Sequence, residues 1–233
     1  LGMARGLARA GARVVVVGRN PDKSKAAVRE LEALGAEAHA VETDVCDEAA
    51  VARLAASVLE RCGRIDVLVN NAGTNIRKPL HECSLAEWRT VLDTNLTSAF
   101  LCSRAVYPAM KQGGGGKIVN IGSMMSIFGA SFAPAYGASK GGIVQLTKSA
   151  AAAWARDNIQ VNAVLPGWID TELTRRARAE VPHLHEAVLR RTPAGRWGAI
   201  DDMAGVAVFL ASRASDFVTG AAIPVDGGYS IQG

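Results

Sequence analysis

No apolar run in this 233-residue chain reaches the ~20 residues that a membrane-spanning helix needs, although hydrophobic residues make up 49% of it. No signal-peptide pattern precedes the first helical segment. The four cysteines (Cys46, Cys62, Cys83, Cys102) form no C-x-x-C pair and show no ligand-like spacing with histidine. That excludes a disulfide framework and a zinc site, and it reads as reduced thiols in a cytoplasmic protein. The histidines (His39, His81, His183, His185) are scattered, and the last two, two residues apart, would not share a helix face. No metal is expected. Charge of one sign is not concentrated either. The net charge is only +4, and the basic residues are spread along helices as solvated faces, not gathered into a nucleic-acid stripe. A mildly basic chain of this kind suits a small anionic ligand. Linkers, internal repeats and low-complexity tails are missing, so residues 1–233 are expected to form one domain of a length that permits a large core.

What is present is a regular alternation. A helix over Leu1–Ala10 ends at Gly11, and the β-branched run Arg13–Val17 reads as a buried strand. Helices are predicted over Asp22–Leu34 and Glu48–Arg61, each stopped by a glycine, with a strand over Glu37–Val41 between them. Further strands are predicted over Ile65–Val69, Lys117–Ile121, Ile159–Leu165 and Ala222–Val225. Between them fall one long helix within Leu85–Met110, a helix carrying Tyr136 to about Ala155, and another over Ile200–Ala211. Residues 168–198 are mixed, charged and helix-prone, a candidate substrate-loop region. The glycines at 113–116 resemble a phosphate loop, but no helix follows them directly. Strands alternating with helices predict an α/β fold with a parallel, doubly wound sheet.

The chemistry centres on Tyr136-Gly-Ala-Ser-Lys140. Residues four apart lie on one helix face, so the phenol and the ammonium reach one point. A positive charge nearby favours the phenolate and is expected to lower the tyrosine pKa, making it an acid/base at a carbonyl or alcohol oxygen. Ser123 follows the strand ending at Ile121, at the carboxyl edge where open α/β sheets hold ligands. With Asn70-Asn-Ala-Gly73, Asn95 in Asp-Thr-Asn-Leu, and Pro166-Gly167 with Thr171, the order and separations resemble the short-chain dehydrogenase/reductase family over nearly the whole chain.

That resemblance implies a Rossmann-type sheet, a nicotinamide cofactor, hydride transfer at a carbon–oxygen bond, and commonly a homotetramer. It makes Tyr136 the general acid/base. Lys140 becomes the residue that lowers the Tyr136 pKa and binds the nicotinamide ribose, Ser123 the holder of the substrate oxygen, and Asn95 the holder of a relay water. It implies that Asp44 and Val45 line the adenine, that Asn71, Ala72 and Gly73 pass under the adenosine side, and that Thr171 holds the carboxamide with backbone help from Ile169 beside Pro166 and Gly167. Asn70 and Asn71 equally suit a role in tying strands together. Gly18 stands where NAD-preferring relatives place an acid, and Arg19 follows it. A 2′-phosphate would meet no repulsion there and Arg19 can pair with it, so NADP is preferred, with NAD as the second choice. One departure is the family's opening strand and glycine turn, since Leu1 falls where the last glycine should just have ended. An upstream segment is therefore expected, and without it a slot should separate the flanking strands.

The loops after the strands offer Asn75, Arg77, Met125 and Trp168 to the substrate. The stretches Thr74–Pro79 and Arg191–Gly198 are most like gluconate 5-dehydrogenase and 2-deoxygluconate 3-dehydrogenase members. They imply an alcohol–ketone oxidoreductase acting on a sugar acid, sugar or polyol, with an arginine on the carboxylate. Two alternatives remain. One is a 3-oxoacyl-carrier-protein reductase using Arg175, Arg176 and Arg178 as a basic patch for the carrier. The other is a non-catalytic cofactor-binding regulatory or scaffold protein.

Overall fold

A computed structural model describes residues 1–232. The alternation read from the sequence is present. Helix α1 (Gly2–Arg9) leads to β1 (Val14–Gly18), α2 (Pro21–Glu32), β2 (Ala38–Glu42), α3 (Glu48–Cys62) and β3 (Val67–Asn70). Then come α4 (Leu85–Leu92), α5 (Ser98–Gln112), β4 (Gly116–Ile121), α6 (Pro134–Trp154) and β5 (Ile159–Pro166). Helices α7 (Glu172–Glu180), α8 (Leu184–Arg191) and α9 (Ala204–Ala211) precede the last strand, β6 (Ala222–Val225). The caps follow local chemistry. Asn20 and Asp47 accept from the third residue of α2 and α3, and Pro21 occupies the first position of α2, where its missing N–H costs nothing. Gly63 closes α3 at φ +77°, a left-handed conformation that favours glycine.

Every ladder is parallel, but the strands form two separately hydrogen-bonded sheets, β1–β2 and β3–β4–β5–β6. Among the described residues no pairing joins β1 to β3. Strand β5 is central in the larger sheet, and seven of its eight residues are buried. An uninterrupted apolar run is what a strand covered on both faces requires. Ile118, Ile159 and Val161 pack there with Met110 from α5 and Ala150 and Ala151 from α6. Each large side chain fully buried in this way contributes roughly 1.5–3 kcal/mol. Asn70 and Asn120 are register partners on β3 and β4. Asn70 donates to Asn120 Oδ1 at 2.8 Å and Asn120 donates to Thr147 Oγ1 at 2.9 Å, so Asn70 does tie strands together.

Two helices differ from the sequence expectation. The predicted helix within Leu85–Met110 is interrupted by a π-turn at Asp93–Thr97, where the Ser98 amide reaches back five residues to the Asp93 carbonyl. The segment Asp-Thr-Asn-Leu-Thr-Ser is rich in short polar side chains that compete for backbone groups. Ser98 Oγ donates to the Thr94 carbonyl at 2.6 Å, and Thr97 Oγ1 to Asp93 Oδ1 at 3.1 Å. The predicted helix over Ile200–Ala211 begins as a tighter 3₁₀ turn, Ile200–Met203, before α9.

Candidate active site

The π-turn places Asn95 where a regular helix would not. Gly142, on the turn of α6 after Lys140, lets the two segments approach, since a methyl there would sit 2.7 Å from Leu96 Cδ2. Asn95 is buried. Its Oδ1 accepts from the Thr74 amide at 2.7 Å, and its Nδ2 donates to the Thr74 carbonyl at 3.0 Å and to Ser139 Oγ at 2.9 Å. Both of its donors are thus engaged by protein, so neither side-chain N–H is free for the expected relay water. Ser139 is fully buried and donates in turn to the Tyr136 carbonyl at 2.8 Å. A continuous chain therefore links the loop after β3, the π-turn and the first turn of α6.

Ser123 is extended and caps the short turn Met124–Ser126 by accepting from the Met125 amide at 3.1 Å. Ser126 completes the turn from the other side, donating to the Lys140 carbonyl at 2.7 Å. The ammonium of Lys140 donates to the Ile121 carbonyl at 2.6 Å and lies 5.7 Å from the Tyr136 ring centre. Burial lowers the Lys140 pKa to about 8, because a charge loses its hydration there.

The phenol departs from the sequence expectation. The Tyr136 pKa is raised, not lowered. Burial of the hydroxyl is the largest cause, and the Ser123 hydroxyl and the Arg77 charge pull it back only in part. Lys140 is not among the groups that shift it. The tyrosine is held as the neutral acid, ready to donate a proton.

These groups open on one cleft of about 330 Å³. The cleft brings together most of the expected positions: Asn71 and Gly73 from the loop after β3, Ser123 and Met125 after β4, and Pro166, Gly167, Trp168, Ile169 and Thr171 after β5. Asn75 and Arg77 line it as well. Thr171 also caps α7, accepting from the Thr174 amide at 3.4 Å. Gly167 permits a close approach, because a Cβ there would lie 2.6 Å from Asp226 Cα.

Other expected residues lie apart from this lining. Arg19 and Asp44 sit beyond the carboxyl ends of β1 and β2 and face each other at 3.6 Å, both exposed. Ala72 is exposed beside the cleft, and Val45 packs toward Val51, Leu101 and Cys102 in the core. The Arg19 guanidinium is accessible, as pairing with a ribose phosphate requires, and the N-terminal end of α1 lies on the cleft, where helix ends favour anions. The donors and surfaces present thus fit a phosphorylated dinucleotide. No group of three or more potential ligand side chains that could hold a metal exists among the described residues.

Arg77 is not a free anion anchor. It donates to Glu180 at 2.7 Å and to the Leu173 carbonyl at 3.1 Å, fastening its loop to α7. Ser139, Ser126, Leu173, Phe132 and Glu180 carry no signal in the sequence that marks them for this site. Ser139 sits inside the Tyr–Lys motif, but its partner Asn95 is 44 residues away.

A phenol, an ammonium and a hydroxyl gathered at the carboxyl edge of a parallel sheet, beside surfaces that fit a dinucleotide, define an oxidoreductase site. The chain belongs to the short-chain dehydrogenase/reductase family, and the family model that matches residues 1–230 is described as enoyl-(acyl carrier protein) reductase. It is 42% identical over 231 residues to gluconate 5-dehydrogenase of Gluconobacter oxydans, covering 99% of this chain and 90% of that relative. It is 41% identical over 229 residues to 2-dehydro-3-deoxy-D-gluconate 5-dehydrogenase of Formosa agariphila, covering 98% of this chain and 87% of that protein. The crystal structure of a gluconate 5-dehydrogenase from Burkholderia cenocepacia in complex with NADP and tartrate superposes with a TM-score of 0.94 at 40% identity, covering 100% of this chain and 91% of that one.

Proposed function

We propose that this protein is an NADP-dependent oxidoreductase that interconverts an alcohol and a ketone on a sugar acid. The observation that carries the reading is the Tyr136–Ser123–Lys140 cluster in a cleft shared with polar loop residues, in a chain whose relatives are named for gluconates. A bound nicotinamide would supply or accept the hydride. Ser123 holds the substrate oxygen with its hydroxyl. Tyr136 delivers a proton to that oxygen during reduction and recovers it during oxidation. Lys140 keeps a positive charge beside the phenol and donates to the ribose. Asn95 acts from behind, holding Thr74 and Ser139. Arg19 would hold the 2′-phosphate, Asp44, Val45, Asn71, Ala72 and Gly73 the adenosine part, and Pro166, Gly167, Ile169 and Thr171 the nicotinamide part of the cofactor, while Asn75, Arg77, Met125 and Trp168 would take the substrate.

The acyl-carrier reading has less support. Arg175 and Arg178 both pair with Asp170, and Arg176 pairs with Glu172, so the basic cluster is largely neutralised. The scaffold reading meets a complete set of catalytic side chains. The protein is proposed to be cytoplasmic, in keeping with four free cysteines, and no described helix is long and apolar enough to cross a membrane. A homotetramer is supported by exposed Leu85 and Phe100 near α4 and α5 and by Phe217, each of which subunit packing would cover. The test is NADPH oxidation in the presence of keto-aldonic acids. Turnover with NADPH above that with NADH is expected, and no turnover of any keto-aldonic acid would overturn the assignment.

A further inference from the structure

Two polar atoms in residues lining the catalytic cleft are buried without any protein partner: Oδ1 of Asn75 and Nε1 of Trp168. Native structures keep few such groups, and each calls for a partner. One is an acceptor and the other a donor. Neither is on a slack segment. The residue before Asn75 is clamped on both sides of its backbone by Asn95, at 2.7 and 3.0 Å. Trp168 packs edge-to-face on Trp197 with ring centres 5.6 Å apart, and its carbonyl accepts from the Gly198 amide at 2.9 Å. The cationic neighbour, Arg77, is already held by Glu180 and the Leu173 carbonyl. The polar capacity left unpaired in these two lining residues is therefore neutral and of both polarities. That matches hydroxyl groups, each of which donates and accepts.

We infer that Asn75 and Trp168 form a hydroxyl-reading pair that sets substrate choice. The Asn75 oxygen accepts from one substrate hydroxyl and the Trp168 indole N–H donates to another. The inference rests on the oxidoreductase reading of the site and deepens it. A polyhydroxylated chain pairs both atoms. An acyl chain without hydroxyls leaves both unpaired, and a site built around hydrogen bonds rejects such an analogue strongly.

The test compares kcat/KM for two ketones of similar length, a polyhydroxylated keto-aldonic acid and a keto acid lacking the hydroxyls, such as 5-oxohexanoate. The unmodified protein should favour the hydroxylated ketone by well over tenfold. Asn75→Leu, which keeps the volume, and Trp168→Phe, an independent change, should each cut that ratio by about tenfold or more. NADPH fluorescence titration checks that both variants retain the cofactor site. Equal losses on both ketones would overturn the hydroxyl-reading pair while leaving the oxidoreductase assignment standing. No reduction of either ketone by the unmodified protein would overturn that assignment, and the pair with it.

Discussion

The two sides of the catalytic cleft are held in different ways. The side carrying Tyr136 is knit by uncharged hydrogen bonds among buried groups, from Thr74 through Asn95 and Ser139 to the Tyr136 carbonyl. The side carrying α7 is fastened by ions near the surface. Lys23 pairs with Glu172, with 71% and 65% of their side chains exposed, and Arg77 pairs with Glu180. Buried neutral networks fix a geometry against both salt and pH, because their members do not titrate and water does not compete for them. Exposed ion pairs contribute about 0–1 kcal/mol each and weaken in salt. The reacting groups thus sit on the hydrogen-bonded side, and α7, whose Leu173 and Thr174 line the cleft, on the side fastened by ions. Sheet and loops divide the same labour, since precise chemistry needs a rigid frame and substrate entry needs a soft one.

Breaking the rigid side should have the largest effect. Tyr136→Phe removes the transferable proton and leaves the ring. Turnover should fall by roughly 10²–10⁴-fold, with NADPH binding retained in a fluorescence titration. Unchanged turnover would discard the assigned role. Ser139→Ala is the sharper probe of the network. It leaves an Asn95 donor and the Tyr136 carbonyl without their partner, so kcat should fall by about tenfold with KM changed less. A purely structural loss would instead lower Tm without separating kcat from KM.

Lys140 sharpens the comparison through pH, because it is the charged exception on the neutral side. Its pKa in the folded chain is about 8, against an ordinary value of 10.5. Between those two values the unfolded chain holds the proton that the folded chain has released. Stability therefore rises with pH across that window. A shift of this size corresponds to something on the order of 3 kcal/mol. In Lys140→Met this rise should vanish, and below pH 8 the variant should melt higher than the parent while reducing no ketone. For the parent, kcat/KM for ketone reduction should hold on the acid side of 8 and fall above it as the ammonium is lost. A flat profile up to pH 10 would show that the Lys140 charge is not needed.

Much of this frame can be read in the sequence, and the limits have physical causes. The β-branched runs of β1 and β5 and the glycines after α1 and α3 announce themselves because strands and caps are local. Tyr136, Lys140 and Ser123 are legible for the same reason: spacing along one helix and position at one strand end. The π-turn is not. Hydrophobic residues continue at helical intervals through Asp93–Thr97, and the polar segment there reads as an ordinary exposed turn of helix. The raised Tyr136 pKa depends on how much protein surrounds the hydroxyl, which no spacing encodes. Arg77 reads as a free cation because its partner Glu180 is 103 residues away.

The soft side should respond to salt first and to a single charge last. Raising ionic strength from 50 to 500 mM weakens the exposed Lys23–Glu172 pair most, and Arg77–Glu180 less, because the Arg77 side chain is only 11% exposed. The substrate KM should rise by a few-fold while kcat holds, since the groups that react are not tied by those ions. A parallel fall in kcat would mean that the two sides are coupled after all. Glu180→Gln isolates one pair and gives the smallest effect. Arg77 pulls the Tyr136 pKa down, and Glu180 stands 2.7 Å from Arg77 with the opposite charge. Neutralising Glu180 leaves that pull unopposed. The alkaline limb belonging to the phenol in the reduction profile should then move to lower pH, an electrostatic effect attenuated by water at the cleft. If that limb stays fixed while KM rises, Arg77 acts only as a fastener of α7. If it moves as expected, the ion pair on the soft side also tunes the acid on the rigid one.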